Sequence, residues 1–210
     1  FRKVNNINFH HAKLAAFGST RRAGNCTDQD PILQNLLAAN TPAVAIFGKS
    51  WDFLVENVLR TSLEENLKII EDSVRFLKNN GKEVIYDAEH FFDGYKGNPS
   101  YALESLKAAL RGGADSLILC DTNGGTLPLD FMEIFQSVQK SISAPLGVHI
   151  HNDSGMAAAI SIIAAQQGAI QIQGTFNGYG ERCGNANLTT IIPSLLIKLG
   201  FNSPVKSNLT

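Results

Sequence analysis

Short apolar segments alternate with amphipathic segments along the 210-residue chain. Six apolar runs predict strands, at residues 12–17, 43–47, 83–86, 116–120, 146–150 and 169–173. Between them, the segments 63–77, 101–110 and 127–138 have the apolar spacing that is typical of helices. The strands recur about every 30 residues, which is the length of one βα unit. Because the strands are almost continuously apolar, the pattern predicts a parallel sheet that is covered on both faces.

Local signals predict where the helices begin and end. Ser62 and Glu65 have the spacing of a capping box ahead of the first helix. The glycine pair at 112–113 predicts the end of the second helix, and Pro128 suits the first turn of the third. An alanine-rich stretch that begins at Gly155 predicts a further helix.

Polar clusters follow the strands at their C-terminal ends, whereas the strand starts are plain. This asymmetry favours a TIM-type (β/α)8 barrel, which builds its active site from the C-terminal ends of all its strands. A doubly wound sheet, which concentrates polar residues at one crevice, is the alternative. Since a closed barrel has eight strands, we expect residues 1–210 to form one partial barrel domain of about six βα units. The sequence starts at Phe1 rather than Met, so we interpret the first two units as missing.

Composition restricts the class of protein. The net charge of -1 provides no basic field for nucleic acid or for an anionic membrane surface. No apolar run approaches the ~20 residues that span a bilayer. Cys26, Cys120 and Cys183 lack paired spacing, which favours a reducing compartment. We therefore expect a cytoplasmic protein that binds neither nucleic acid nor membrane.

Two histidines interrupt the apolar run of the fifth predicted strand. His149 and His151 are two residues apart, so in a strand both side chains point to the same face. Their backbones would be about 6–7 Å apart, close enough for both imidazoles to bind one divalent cation. The alternative is a structural strand with two hydrogen-bonded histidines. The position between a strand and a helix favours the metal site.

Two carboxylates and a threonine follow other predicted strands. Asp87 and Glu89 share one strand face and can serve as general base, metal ligand or substrate anchor. The alternative is a solvated strand end. Thr122 follows the fourth strand, where its hydroxyl can bind a substrate carboxylate. The alternative there is turn formation with helix capping by Thr126.

A glycine-rich loop follows the last predicted strand. Gly178, Gly180 and Gly184 have G-x-G-x-x-x-G spacing rather than the dinucleotide-binding G-x-G-x-x-G, and Glu181 would repel a pyrophosphate. These glycines can still allow the backbone to approach a ligand. Asn185 offers a carbonyl oxygen for a metal or a water.

Two other groups have structural interpretations. We expect Arg21 and Arg22 to lie at the surface. Trp51, Phe91 and Phe92 are interpreted as packing residues at the barrel mouth rather than as a cofactor site.

Three motifs together resemble one enzyme family. They lie at residues 120–128 (CDTNGGTLP), 147–153 (GVHIHND) and 178–188 (GYGERCGNANL). The set resembles the metal-dependent Claisen-condensing acyltransferases, a TIM-barrel family that contains the 2-isopropylmalate, homocitrate and citramalate synthases. Residues 16–22, 47–51 and 86–94 are most similar to the citramalate synthase branch.

The resemblance implies a role for each motif. His149 and His151 would ligate a divalent metal of the Zn, Mn or Mg type, with Asn185 contributing nearby. Glu89 corresponds to a catalytic carboxylate, and Thr122 to a contact for the substrate carboxylate.

The resemblance extends to the remaining site residues. Asp87 and Arg182 are expected to bind the 2-oxo acid. The loop expected to contact acetyl-CoA contains Gly178, Gly180, Glu181 and Gly184. The family's Leu-Arg-Asp-Gly motif, which supplies a third metal ligand and a catalytic arginine, has no counterpart in this sequence. We therefore expect these 210 residues alone to be inactive.

The activity implied is a transferase reaction of branched-chain amino-acid biosynthesis. Acetyl-CoA would condense with a 2-oxo acid, with pyruvate giving citramalate, in a protein that is a homodimer at full length. The alternatives are 2-isopropylmalate or homocitrate synthase, a metal-dependent acyl-CoA lyase on the same barrel, or a catalytically silent metal-binding fragment.

Overall fold

The computed structural model describes Val4, Ile7 and residues 9–203. Its strands are β1 (Ala15–Ser19), β2 (Ala43–Lys49), β3 (Glu83–Glu89), β4 (Ser116–Asp121), β5 (Leu146–Ile150) and β6 (Gln171–Gln173). Its α-helices are α1 (Pro31–Ala38), α2 (Asp52–Leu54), α3 (Leu63–Asn79), α4 (Phe91–Gly97), α5 (Pro99–Gly112), α6 (Pro128–Ser141), α7 (Ala157–Gln166) and α8 (Leu188–Pro193). π-helical turns follow α2 at Val55–Leu59 and α8 at Ser194–Lys198, and a 3₁₀ turn spans Phe176–Gly178.

All six strands pair in parallel and in chain order, β1-β2-β3-β4-β5-β6. Helices connect successive strands, as crossovers between parallel neighbours require. The sheet is therefore an incomplete (β/α) barrel of six units, and a doubly wound sheet is excluded because its strand order would reverse at a switch point. None of the helices in the described ranges combines the length and apolarity needed to cross a membrane.

The strand boundaries follow from the register of the sheet. The first strand begins at Ala15 rather than at residue 12, because its partner strand begins at Ala43. The sixth strand begins at Gln171 rather than at residue 169, since the N–H of Ala169 still bonds the end of α7. By contrast, β2 and β3 extend together to the pair Lys49 and Glu89, beyond their apolar runs.

The predicted helix signals are largely confirmed. Ser62 Oγ accepts from the N–H of Glu65 at 3.1 Å, but the Glu65 carboxylate bonds Arg21 instead of completing a capping box. Gly113 ends α5 in the left-handed conformation, at φ 97°. The alanine-rich helix α7 starts two residues after Gly155.

The hydrophobic core lies between the sheet and the helices. Outward-facing residues of β3, such as Tyr86 and Ala88, are fully buried beneath this helical layer. Phe91 and Phe92 are also fully buried, and the Phe92 ring lies 5.5 Å from that of Phe131. They are packing residues, as predicted. The inward-facing residues of the strands lie on the opposite face of the sheet from this core.

The prediction that both arginines of residues 21–22 lie at the surface was wrong for one of them. Arg22 is exposed, but Arg21 is only 7% exposed. Its guanidinium pairs with Glu65 at 3.2 Å and with Asp72 at 3.1 Å. Since both carboxylates lie on α3, Arg21 ties the end of β1 to that helix.

Candidate active site

A cavity of about 440 Å³ opens at the C-terminal ends of the strands. Its lining includes seven of the residues predicted from the sequence: Asp87, Glu89, Thr122, His149, His151, Glu181 and Asn185. They meet because inward-facing positions recur every second residue along each strand, and neighbouring parallel strands end at the same edge. Phe17, Phe47 and Cys120 complete the wall.

The two histidines lie side by side, as their spacing predicted. The ring centroids of His149 and His151 are 5.1 Å apart, with 35° between the ring planes. Burial, the neighbouring His149 ring and the Arg182 guanidinium hold the pKa of His151 below its ordinary value. A neutral imidazole is the form that binds metals.

Asn185 reaches this pair from the glycine-rich loop. Its Oδ1 lies 3.2 Å from His149 Nε2, and its Nδ2 donates to the carbonyl of Tyr179 at 3.2 Å. A β-bridge between His151 and Asn185 brings the loop over the strand end. The structure therefore brings this glycine-rich loop beside the two histidines.

The glycine spacing serves the packing of the loop on itself. A Cβ at Gly180 would lie 1.9 Å from Asn185 Nδ2. A Cβ at Gly184, where φ is +90°, would lie 2.2 Å from the carbonyl oxygen of Gly178. The glycines therefore fix the position of Asn185.

Gln173 is a site residue that sequence reasoning missed. His149 Nδ1 lies 2.7 Å from Gln173 Oε1, and Gln173 Nε2 donates to Asp87 Oδ1 at 2.9 Å. The available signal was its place at the end of the sixth predicted strand. Parallel pairing of His149 with Gln173 brings the two side chains to the same face.

Asp87 is buried, at 3% exposure, so the interpretation as a solvated strand end was wrong for this residue. Burial raises its pKa to about 6, although the hydrogen bond from Gln173 and the nearby His149 act in the opposite direction. Cys120 is also buried. Its burial and the nearby carboxylates of Asp87 and Glu89 raise the pKa of its thiol well above the ordinary value. Cys120 is therefore a protonated wall residue.

Glu89 forms an ion pair with Lys49, a second residue that the sequence reasoning missed. The Glu89 and Lys49 side chains are 22% and 18% exposed respectively, so neither is sealed in the core. Glu89 and Phe47 also border a second cavity of about 340 Å³, which is lined by Arg22 and Lys49 among others. The Glu89 carboxylate thus lies where two cavities meet.

Thr122 is held by the backbone of the preceding βα loop. Its Oγ1 accepts from the N–H of His90 at 2.8 Å. His90 has a left-handed backbone at φ 57°, an uncommon conformation that directs this N–H. Because the Thr122 oxygen accepts this bond, its hydroxyl hydrogen can be donated to a ligand.

The alternative of helix capping by Thr126 was wrong. The residue that precedes α6 is Leu127, and the N–H of Thr126 instead donates to Asp121 Oδ2 at 3.0 Å. Asp121 is the residue that shapes this turn.

Arg182 joins three of the loops that surround the cavity. Its guanidinium donates to both carboxylate oxygens of Asp153, at 2.7 and 3.0 Å, and to the carbonyl of Thr122 at 2.7 Å. It also contacts Glu181 at 2.9 Å and His151 Nδ1 at 3.2 Å. Since arginine only donates, His151 Nδ1 is the acceptor in this arrangement.

The donor set fits a divalent metal. No cluster of three His, Cys, Asp or Glu side chains suited to a metal occurs among the described residues, so the set is two imidazoles and the amide oxygen of Asn185. His149 Nε2 and Asn185 Oδ1 are 3.2 Å apart. Two ligand atoms that each lie about 2.1 Å from one ion are roughly 3.0–3.4 Å apart. Because His151 Nδ1 accepts from Arg182, the proton of the neutral ring lies on Nε2. A metal could bind His151 Nε2 only after Arg182 releases Nδ1 and the proton moves there.

Comparison with known proteins assigns the family. The profile of HMGL-like proteins matches residues 13–209. The chain belongs to the HMGL-like family. This membership agrees with the resemblance found in the sequence motifs.

Relatives with two different activities are similar to this chain. It is 55% identical over 210 residues to the (R)-citramalate synthase of Aquifex aeolicus, covering 100% of this chain and 40% of that protein. It is 55% identical over 199 residues to the (R)-citramalate synthase of Geobacter sulfurreducens, covering 95% and 38%. Identity to the 2-isopropylmalate synthase of Methanocaldococcus jannaschii is 36% over 149 residues, covering 71% and 28%. The chain thus spans about two fifths of the length of the citramalate synthases that it matches.

Solved structures of two lyases share the fold. The hydroxymethylglutaryl-CoA lyase of Pseudomonas aeruginosa superposes with a TM-score of 0.75 at 16% identity, covering 94% of this chain and 66% of that chain. The HMG-CoA lyase of Bacillus subtilis gives 0.74 at 19% identity, covering 92% and 65%. These likenesses support the barrel assignment.

Proposed function

We propose that this protein condenses acetyl-CoA with pyruvate to form citramalate, in the biosynthesis of isoleucine. The observation that carries the proposal is the 55% identity to an (R)-citramalate synthase along the whole described sheet. The weaker match to a 2-isopropylmalate synthase, at 36% over 149 residues, favours pyruvate over the larger 2-oxoisovalerate. The cavity at the strand ends supports the proposal, because its lining contains candidates for metal binding, substrate binding and proton transfer.

His149, His151 and Asn185 would hold a divalent metal. A bound ion of the Zn, Mn or Mg type would polarise the carbonyl group of the 2-oxo acid. The remaining requirements fall to the protein's own side chains.

Thr122 binds the carboxylate of the 2-oxo acid in this proposal. Its oxygen already accepts from the His90 N–H, so its hydrogen is directed by that bond and is available to the substrate. Asp87 and Arg182 orient the same substrate. Asp87 acts through its hydrogen bond with Gln173. Arg182 acts by holding together the loops around the cavity, including that of Thr122.

Glu89 is the proposed general base. Its carboxylate would take a proton from the methyl group of acetyl-CoA, and the resulting enolate would attack the carbonyl carbon of pyruvate. The carbonyl oxygen would take the electron pair of the broken C=O π bond and the proton that Glu89 holds. Water then cleaves the thioester and releases CoA. Lys49 forms an ion pair with the Glu89 carboxylate and so holds it at the strand end. The position of Glu89 between two cavities suits a base that acts between two substrates.

The loop that contains Gly178, Gly180, Glu181 and Gly184 is the proposed contact for acetyl-CoA. The presence of Glu181 in the cavity lining supports this proposal. We also propose that the intact protein is a homodimer, which sedimentation velocity would test.

Release of free CoA thiol tests the activity. The intact protein is incubated with acetyl-CoA and one of pyruvate, 2-oxoisovalerate or 2-oxoglutarate, and the thiol is measured colorimetrically. We expect pyruvate to give the highest kcat/KM, because a pocket wall shaped for a methyl group excludes the larger acids. Faster turnover of 2-oxoisovalerate would refute the choice of substrate. Cleavage of citramalyl-CoA without condensation would indicate a lyase instead.

A further inference from the structure

The His149 ring lies between two side-chain amide oxygens. Its Nδ1 is 2.7 Å from Gln173 Oε1, and its Nε2 is 3.2 Å from Asn185 Oδ1. Each of these oxygens can only accept a hydrogen bond. A neutral imidazole has one N–H, so it can satisfy only one of the two.

Further hydrogen bonds determine which end of each amide faces the ring. Gln173 Nε2 donates to Asp87 Oδ1 at 2.9 Å, which directs Gln173 Oε1 to His149. Asn185 Nδ2 donates to the carbonyl of Tyr179 at 3.2 Å, which directs Asn185 Oδ1 to the same ring. Reversing Gln173 would place its oxygen against the Asp87 carboxylate, where two acceptors would repel.

The shorter contact identifies the protonated nitrogen. At 2.7 Å, His149 Nδ1 and Gln173 Oε1 have the separation of a strong N–H···O hydrogen bond, whereas 3.2 Å is the long limit. The ring proton therefore belongs on Nδ1. The lone pair of Nε2 is then directed towards Asn185 Oδ1, so two electron-pair donors face each other.

We infer that Gln173 is a positioning residue that fixes the Nδ1–H tautomer of His149 and so leaves Nε2 free to bind a metal. The inference deepens the proposed function, because it rests on the proposed metal site. Polar partners of ligating histidines generally act in this way. The neighbouring His151 differs, since its Nδ1 faces Arg182 rather than an oxygen at hydrogen-bonding distance.

The tautomer is measured directly in the intact, metal-free protein. Two-bond ¹⁵N–¹H correlation spectra at pH 8.5 distinguish the Nδ1–H form, the Nε2–H form and the doubly protonated ring. We expect the Nδ1–H form for His149 in the wild type. A wild-type ring that carries its proton on Nε2, or on both nitrogens, would overturn the inference, whatever the stability of any variant.

Substitutions test the dependence on Gln173. Gln173→Met keeps a similar side-chain length but removes both the amide oxygen and the amide nitrogen. We therefore expect the Nε2–H form of His149 to appear, with Nε2–H donating to Asn185 Oδ1. Zn²⁺ affinity, measured by competition with a fluorescent chelator, should fall about 10–100-fold. The double variant Gln173→Glu/Asp87→Asn retains an acceptor for Nδ1–H and a donor–acceptor pair between residues 87 and 173, so it should keep the wild-type tautomer. An unchanged tautomer and an unchanged Zn²⁺ affinity in Gln173→Met would show that Gln173 plays no such role.

Gln171→Met is the matched control, because Gln171 lies two residues earlier on the same face of β6. We expect it to leave both the tautomer and the Zn²⁺ affinity as in the wild type. If the wild type shows the Nδ1–H tautomer but binds no Zn²⁺, the proposed metal site fails while the tautomer assignment stands. The two proposals can therefore fail separately.

Discussion

Lys49 and Glu89 are paired neighbours at the ends of β2 and β3, and their side chains form an ion pair in the wall of the cavity of about 340 Å³. The register of the sheet, rather than sequence proximity, brings them together across 40 positions. Both strands extend to this pair, beyond the apolar runs from which they were predicted. The carboxylate proposed as the base is thus held by a rigid strand and a partly buried ammonium group.

We predict that Glu89→Gln lowers kcat for citramalate formation by about 10²–10⁴, the range that is usual for a general acid or base. The amide keeps the shape of the side chain but cannot take a proton, so the far-ultraviolet circular dichroism spectrum should be unchanged. Glu83→Gln, at the other end of β3, is the control and should retain wild-type kcat. If Glu89→Gln kept both its kcat and its pH profile, the base would lie elsewhere.

We predict that His149→Ala loses most of its bound metal. The protein is equilibrated with Zn²⁺ or Mn²⁺, freed of excess ion and analysed for metal content. With one of the two imidazoles absent, the remaining donors should bind the ion considerably more weakly. His10→Ala, at an exposed position, is the control. Equal metal content in wild type and His149→Ala would exclude the assignment.

We predict that Arg182→Met loosens the loop that carries Asn185. Arg182 joins this loop to Asp153 and to the carbonyl of Thr122. Without these bonds, amide hydrogen exchange should become faster at Ala186, whose N–H bonds the carbonyl of Ile150. Arg22→Met, at an exposed position, should exchange as the wild type does. Unchanged exchange at Ala186 would show that the glycine packing alone holds the loop.

The fold could be predicted from local pattern because each βα unit repeats the same alternation. All six strands were found, and the site residues at their ends followed from the two-residue period of a strand. His149 and His151 share one strand, so their proximity needed no tertiary information. The same holds for Asp87 and Glu89.

Contacts between strands could not be predicted in the same way. Gln173 and Lys49 carry no motif, and their roles depend on the register with His149 and Glu89 respectively. Arg21 looked like a surface residue because the carboxylates that bury it lie 44 and 51 positions away. The glycines of the last loop suggested a ligand contact, but the sequence did not show that Gly180 and Gly184 also allow the loop to pack closely around Asn185.

The final prediction concerns the pH dependence of stability. Burial raises the pKa of Asp87 to about 6 in the folded protein, above its ordinary value of 3.8. Between these two values the folded state binds more protons than the unfolded state, so the free energy of unfolding should fall as pH rises through this window. Above about pH 6 the buried carboxylate should cost up to about 3 kcal/mol.

Asp87→Asn should remove this cost while still accepting the hydrogen bond from Gln173. We therefore expect the variant to be more stable than the wild type at pH 8 by about 1–3 kcal/mol, with the difference disappearing towards pH 4. Urea unfolding in the presence of a metal chelator measures both profiles. Asp28→Asn, at an exposed position, should follow the wild type. A stability gain at pH 8 that persisted unchanged at pH 4 would mean that packing, rather than the buried charge, accounts for the effect.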